Sequence, residues 1–342
     1  MAFKDLFNNP NQEDNSEKKS VNWDALHEYT VKTCDLEEED VLIGRISGMV
    51  YLGLHDLEDG RMEWDGSPED EEAEIEKHPG TWFEDGTNDK GVACRFKMWK
   101  QKPAHMITYA VDFPQIQLNK GQFFDESCTE TRPLRIYLGG SFYTKEQGMV
   151  VARPIRLSVK NIGDNGKKVW SAAKNSVLYK MASGAKLIAE DGSFHPSRAQ
   201  ELVGKSLQFS VRVFFKQGKD GKKYFTESIK YASGLGRSMQ PVETGIEEFS
   251  VVFDEINKAE SLSELRGHIL NTIRSANNFK GSLLEKQLAE VRPSQDNAPA
   301  KEDPPAKQES SKKTPPKPVQ QNPKKVETPK FAPDDDFSDI PF

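Results

Sequence analysis

The chain has 342 residues, 30% of them charged, and a formal net charge of -7. No apolar run approaches the roughly 20 residues of a membrane span, and the polar start MAFKDLFNNPNQEDNSEKK offers no secretory h-region, so a cytoplasmic protein with no membrane partner is expected. Cys34, Cys94 and Cys128 stand far apart without a C-x-x-C pair, which favours free thiols in a reducing compartment over a disulfide framework.

Charge is segregated along the chain. Residues 1–89 carry 7 Lys+Arg against 25 Asp+Glu, a net of -18, whereas residues 132–230 carry 19 against 7, a net of +12. The overall charge argues against a polyanion partner, but binding follows the local field, and the basic block restores such a partner.

In chain order, residues 1–40 read as a polar leader followed by a short amphipathic helix in VNWDALHEYTVKTC. VLIGRISGMVYLGLHDL reads as a long strand in which Gly44, Gly48 and Gly53 allow bulges or a sharp coil. Residues 56–89 form an acidic insertion. VACRFKMWK, MITYAVDF, PLRIYL and MVVARPIRLSVKNI follow as strands. VWSAAKNSVLYKMASGAKLI has helical spacing, and SLQFSVRVFFK and KKYFTESIKYAS are two strands joined by the turn QGKDGK. Residues 236–292 are a helical extension. Residues 293–333 are rich in Pro, Lys and Gln and poor in large apolar side chains, so they form a disordered linker before the tip at 334–342. Several strands, a helix and a closing hairpin make a mainly β chain. They suit a five-stranded oligonucleotide-binding (OB) barrel over residues 41–235, with the acidic insertion and extra helices added.

Strand alternation predicts what faces away from the core. In ACRFKMWK the inward set is Cys94, Phe96 and Met98, leaving Arg95, Lys97 and Trp99 outward. The same alternation puts Arg135 and Tyr137 outward in PLRIYL, Arg156 and Lys160 in IRLSVK, and Arg212, Phe214 and Lys216 in QFSVRVFFK. Lys222, Tyr224 and Lys230 complete the set on the second hairpin strand. Cations interleaved with flat rings are what single-stranded nucleic acid requires, for phosphates and for unpaired bases.

No motif supplies an active site. VGKS at 203–206 resembles the end of a phosphate loop, but Ala199 stands where its first glycine belongs. The consecutive acids of EDEEAEIE read as a solvated surface more readily than as a Mg²⁺ site. The histidines are dispersed, with Cys94 and His105 the pair to watch for zinc. A non-enzyme without cofactor or metal is expected. The alternatives are a metal-dependent nuclease using the acidic region and an acidic adaptor that binds proteins only.

The chain ends in DDDFSDIPF. Asp334, Asp335, Asp336, Asp339, Ile340, Pro341 and Phe342 at its end, behind a Pro/Lys/Gln-rich tether and a basic, aromatic barrel, resemble the single-stranded DNA-binding proteins of bacteria and bacteriophages. Phe337 and Ser338 interrupt the aspartate run, and the acidic N-terminal region, the insertion and the helices depart from bacterial members. These departures favour a bacteriophage replication protein acting in an infected host cell. The resemblance implies a protein that coats and protects single strands during replication, recombination and repair. It also implies a tip, with Phe337 beside the matching residues, that recruits polymerase, helicase, primase or nuclease partners. It leaves the family's homo-oligomeric state open for this chain, and the acidic tip is expected to compete with DNA for the basic block.

Overall fold

A computed structural model describes residues 21–88, 90–124, 127–139, 154–163, 168–218 and 221–292. The described residues up to Val291 belong to one compact unit. The expected linker, the tip with Asp334, Asp335, Asp336, Phe337, Asp339, Ile340, Pro341 and Phe342, the leader and Met149–Arg153 all lie outside the described residues.

Helix α1 (Trp23–Cys34) forms where its spacing predicts. Asn22 caps it by accepting from the Ala25 amide, and Asp35 ends it in the left-handed region at φ 52°. Strand β1 (Asp40–His55) then organises the fold. Its first part pairs antiparallel with β10 (Ser206–Gln217), and its second part with β5 (Ala104–Leu118). The register slips between Ile46 and Gly48 and again between Tyr51 and Gly53, so Gly48 and Gly53 mark bulges, whereas Gly44 pairs in regular register with Leu207. Gly53 has φ +106°, and a Cβ there would lie 2.3 Å from the Cβ of Ala276. Only glycine meets both demands.

The main sheet runs β11–β10–β1–β5–β6, with β6 at Arg132–Leu138 and β11 at Lys223–Ser233. All pairs along this path are antiparallel. The short β7 (Ile155–Arg156) adds to β5, and β12 (Phe249–Val251) runs parallel to β1. Among the described residues β6 and β11 approach within 8 Å but share no ladder, so closure of a five-stranded barrel is not shown among them. One face of this sheet packs Phe113, Leu134, Ile136, Phe209, Val211 and Val213 into a core with α1. The core also takes in Leu178 and Met181 of α3 (Val177–Gly184). The expected helix over 169–188 is shorter than its spacing suggested. Ser176 accepts from the Tyr179 amide as an N-cap, and Trp170–Ser171, upstream of it, are a short strand, β9, pairing with β8 (Lys160–Asn161).

The C-terminal helices make a second core. α4 (Ala259–Ser263), α5 (Gly267–Ser275) and α6 (Leu283–Val291) lay Leu262, Ile269, Ile273, Leu284 and Leu288 against Val50, Leu52, Ala110 and Tyr137. Full burial of each such side chain contributes about 1.5–3 kcal/mol. The helices therefore occupy, on β5 and β6, the face opposite the first core.

The acidic insertion is an ordered subdomain. β2 (Gly60–Trp64), β4 (Ala93–Trp99) and β3 (Thr81–Thr87) form a separate sheet in the order β2–β4–β3. VACRFKMWK is thus a strand, as expected, but of this sheet and not of the main one. α2 (Pro68–Lys77) begins on a capping box between Ser67 and Asp70. No helix among the described residues is long and apolar enough to cross a membrane.

Candidate nucleic-acid interface

The hairpin of β10 and β11 carries the predicted pattern. Its register sets Ser210 opposite Lys230, Arg212 opposite Ser228, Phe214 opposite Thr226 and Lys216 opposite Tyr224. Residues opposite one another share a face, so Arg212, Phe214, Lys216, Tyr224 and Lys230 lie on one side. Phe209, Val211 and Val213 point to the other side and are fully buried. The Arg212 guanidinium stands 3.9 Å from the centre of the Phe214 ring, and its Nε donates to the Glu37 carbonyl at 2.6 Å. This clamp orients both a cation and a ring. Lys222 and Lys230 are exposed, and Lys230 Nζ lies 4.0 Å from Glu39. The turn at 218–222 closes with the Gly218 amide donating to the Lys222 carbonyl and with Gly221 at φ +78°.

The other predicted contacts are placed elsewhere. Arg156 is exposed on β7 opposite Met106, and Lys160 is half-buried on β8. Arg95 and Lys97 face α2. Arg95 donates to both oxygens of Glu71 at 2.9 and 3.0 Å and to Asp85 at 3.1 Å, while Lys97 pairs with Glu74. These bonds hold the Glu71 and Glu74 carboxyls below their usual range. Trp99 lies against Gly60, where a Cβ would sit 2.1 Å from its ring.

Arg135 and Tyr137 are not solvent-facing as alternation predicted, because the C-terminal helices cover them. Arg135 makes a two-bond pair with the fully buried Asp112, at 2.8 and 3.0 Å, and reaches Glu264 at 3.1 Å. Tyr137 is 2% exposed within the second core, and its buried hydroxyl has no hydrogen-bond partner among the described residues.

A second feature was not read from the sequence. Between the edges of β6 and β11, which share no ladder, lies a cleft of about 1260 Å³, walled by α1, residues 117–124 and 128–133, β6, β11, residues 244–249 and the starts of α4 and α5. Arg266 crosses it at depth, donating to the Glu227 carboxylate on β11 and to the Arg135 carbonyl on β6. Lys120 Nζ lies 3.8 Å from the same Glu227. Burial pulls the Lys120 ammonium below its ordinary pKa. For Glu227 burial acts upward, but Arg266 and Lys120 outweigh it and hold the carboxyl below its usual range. His27 stacks on Phe225 with rings 4.4 Å apart and parallel within 1°. At the mouth, Trp23 is 55% and Phe124 58% exposed, edge to face at 5.9 Å. The run KGQFF at 120–124, a cation with two rings in a loop, was the available signal.

Among the described residues no three His, Cys, Asp or Glu converge as a metal site, and the His105 ring is hydrogen-bonded to the Tyr51 hydroxyl. No protein-family model, curated protein or solved structure matches the chain.

Proposed function

We propose that this chain is a non-enzymatic, sequence-independent single-stranded DNA-binding protein. It coats and protects single strands in replication, recombination and repair. The observation that carries the reading is the β10–β11 register, which gathers Arg212, Phe214, Lys216, Tyr224 and Lys230 on one sheet face. Cations at strand spacing meet successive phosphates, and the rings between them offer stacking platforms that tolerate any base. The strand order β11–β10–β1–β5–β6 supports an OB-type barrel opened between its third and fifth strands, with β1, β5, β6, β10 and β11 as the five. The tip ending in Ile340, Pro341 and Phe342 supports recruitment of replication proteins through an apolar pocket rimmed by basic side chains. The combination fits a bacteriophage replication protein.

The reading is tested by anisotropy titration of labelled oligo-dT with the full chain and its Arg212→Ala/Lys216→Ala variant. Tight binding by the first and marked weakening in the second are expected. A protein-only adaptor is the alternative. It is favoured by the pairing of Arg95 and Lys97 with acids and by the covered state of Arg135 and Tyr137, and it predicts no oligonucleotide binding by either chain.

A further inference from the structure

The cleft between β6 and β11 has no role in the hairpin surface just described, yet it begins on the opposite face of the same strand. Alternate residues of β11 point to opposite sides. Tyr224 and Lys230 belong to the outer face, whereas Phe225 and Glu227 line the cleft. Among the described residues β11 is hydrogen-bonded to β10 on one side and to no strand on the other, where β6 approaches within 8 Å without a ladder, so a flexible polymer leaving the outer face at this edge reaches the cleft between the two strands.

The chemistry of the cleft selects what would enter. Two large rings, Trp23 and Phe124, stand more than half exposed at its mouth, where water contact is unfavourable for them. Most lining acids are already engaged: the buried Glu227 by Arg266, the exposed Glu264 by Arg132 at 2.8 Å and by Arg135, and Glu130, Glu247 and Glu248 by Arg132, Lys258 and Arg45. Lys120 meets an acid only at 3.8 Å and keeps ammonium donors for another acceptor. Rings at the entrance with a cation behind them fit a planar aromatic group attached to an anion. The cleft of about 1260 Å³ exceeds the upper end, about 1,000 Å³, of pockets that hold one drug-sized ligand, so there is space for more than one nucleotide.

We propose that this cleft is a base-binding pocket for single-stranded DNA. A nucleotide stacks a base on Phe124, with the perpendicular Trp23 ring beside it, and sets its phosphate on Lys120, continuing the strand bound to the outer face of the hairpin. The inference rests on the single-strand reading above and adds a second contact site to it. A phosphate beside Lys120 offsets the burial that disfavours its charged form.

The test uses the full chain with labelled oligo-dT, following anisotropy and intrinsic tryptophan fluorescence for the wild type, Trp23→Phe, Phe124→Ala and Lys120→Met. Trp23 and Phe124 are mostly in solvent, so Trp23→Phe and Phe124→Ala keep the fold, and circular dichroism checks Lys120→Met. Phe124→Ala is expected to weaken binding about 5- to 160-fold, the loss that accompanies one unstacked base. Lys120→Met is expected to lower the salt slope by about 0.7. Trp23→Phe should remove a distinct part of the fluorescence quench that oligo-dT causes.

The proposal is overturned if all three variants bind within about twofold of wild type and quench alike. If Arg212→Ala/Lys216→Ala still loses binding in that case, the hairpin surface stands without the cleft. If the wild type itself binds no oligonucleotide, both readings fall. A Trp23 response to the free peptide DDDFSDIPF and none to oligo-dT would make the cleft a peptide site and overturn the proposal as well.

Discussion

Replacing Arg135 by Met separates a structural role for this residue from the DNA-contact role that strand alternation predicted. Asp112 is fully buried, and its two oxygens accept from Arg135 at 2.8 and 3.0 Å. Its cross-strand neighbour Arg45 is turned to Glu243 and Glu248 at 3.0 and 2.7 Å. Arg135→Met therefore leaves a carboxylate in the sheet without its partner, at a cost of about 3–5 kcal/mol. For a domain of this size each kcal/mol lowers the melting temperature by roughly 2–4 °C, so a fall on the order of 6–20 °C is expected. Thermal and urea unfolding followed by circular dichroism measure it. Adding Asp112→Leu removes the stranded charge and should recover most of the loss, because an apolar pair of similar volume is tolerated where a single charge is not. The recovered double variant should bind oligo-dT as the wild type does. A single variant within about 1 kcal/mol of wild type would refute the burial argument. A stable double variant that has lost DNA binding would return Arg135 to the DNA surface.

Arg212→Ala/Lys216→Ala should lower the slope of log affinity against log salt by about 1.4, or 0.7 per lost phosphate contact on a single strand, read from titrations at several salt concentrations. Phe214→Ala should weaken oligo-dT binding through the loss of about 1–3 kcal/mol of stacking while leaving the salt slope unchanged. The stack of His27 on Phe225 makes stability pH-dependent. Burial lowers the His27 pKa from 6.5 against the pull of Glu227 and Asp24, so below that pH the unfolded chain takes up a proton that the folded chain resists. Stability from this group is complete above pH 6.5 and falls as pH falls through that value. His27→Phe keeps the stack and should show a smaller drop in melting temperature than wild type between neutral and mildly acidic buffer. A chain ending at Arg292 should bind oligo-dT more tightly than the full chain at low salt if the acidic tip competes for cations.

Local signals were legible where neighbours in sequence decide the outcome. The spacing in WDALHEYTVKTC with Asn22 before it specifies a helix, Gly48 and Gly53 of β1 specify bulges, and the turn QGKDGK between two alternating runs specifies the hairpin and its outward face. What distant segments cover was not legible. Alternation separates the two sides of a strand, but the same alternation describes any half-buried strand, so ACRFKMWK gave no sign that it pairs with β2 and β3 in a separate sheet. Arg95 and Lys97 are engaged by α2, more than 20 residues upstream, and Arg135 and Tyr137 lie under helices more than 120 residues downstream. The cleft escaped for the same reason. Its rings and cations come from α1, the loop after β5, β11 and α5, and only the fold brings them together.

The central claim is that a sheet face of cations and rings selects unpaired strands. It is tested most directly by titrating the full chain against labelled oligo-dT and a duplex of equal length across a salt series. The account predicts tight, salt-sensitive binding to the single strand and much weaker binding to the duplex, whose bases are closed to stacking. Equal affinity for both would reduce the surface to a nonselective basic patch, and no binding to the single strand at low salt would contradict the account outright.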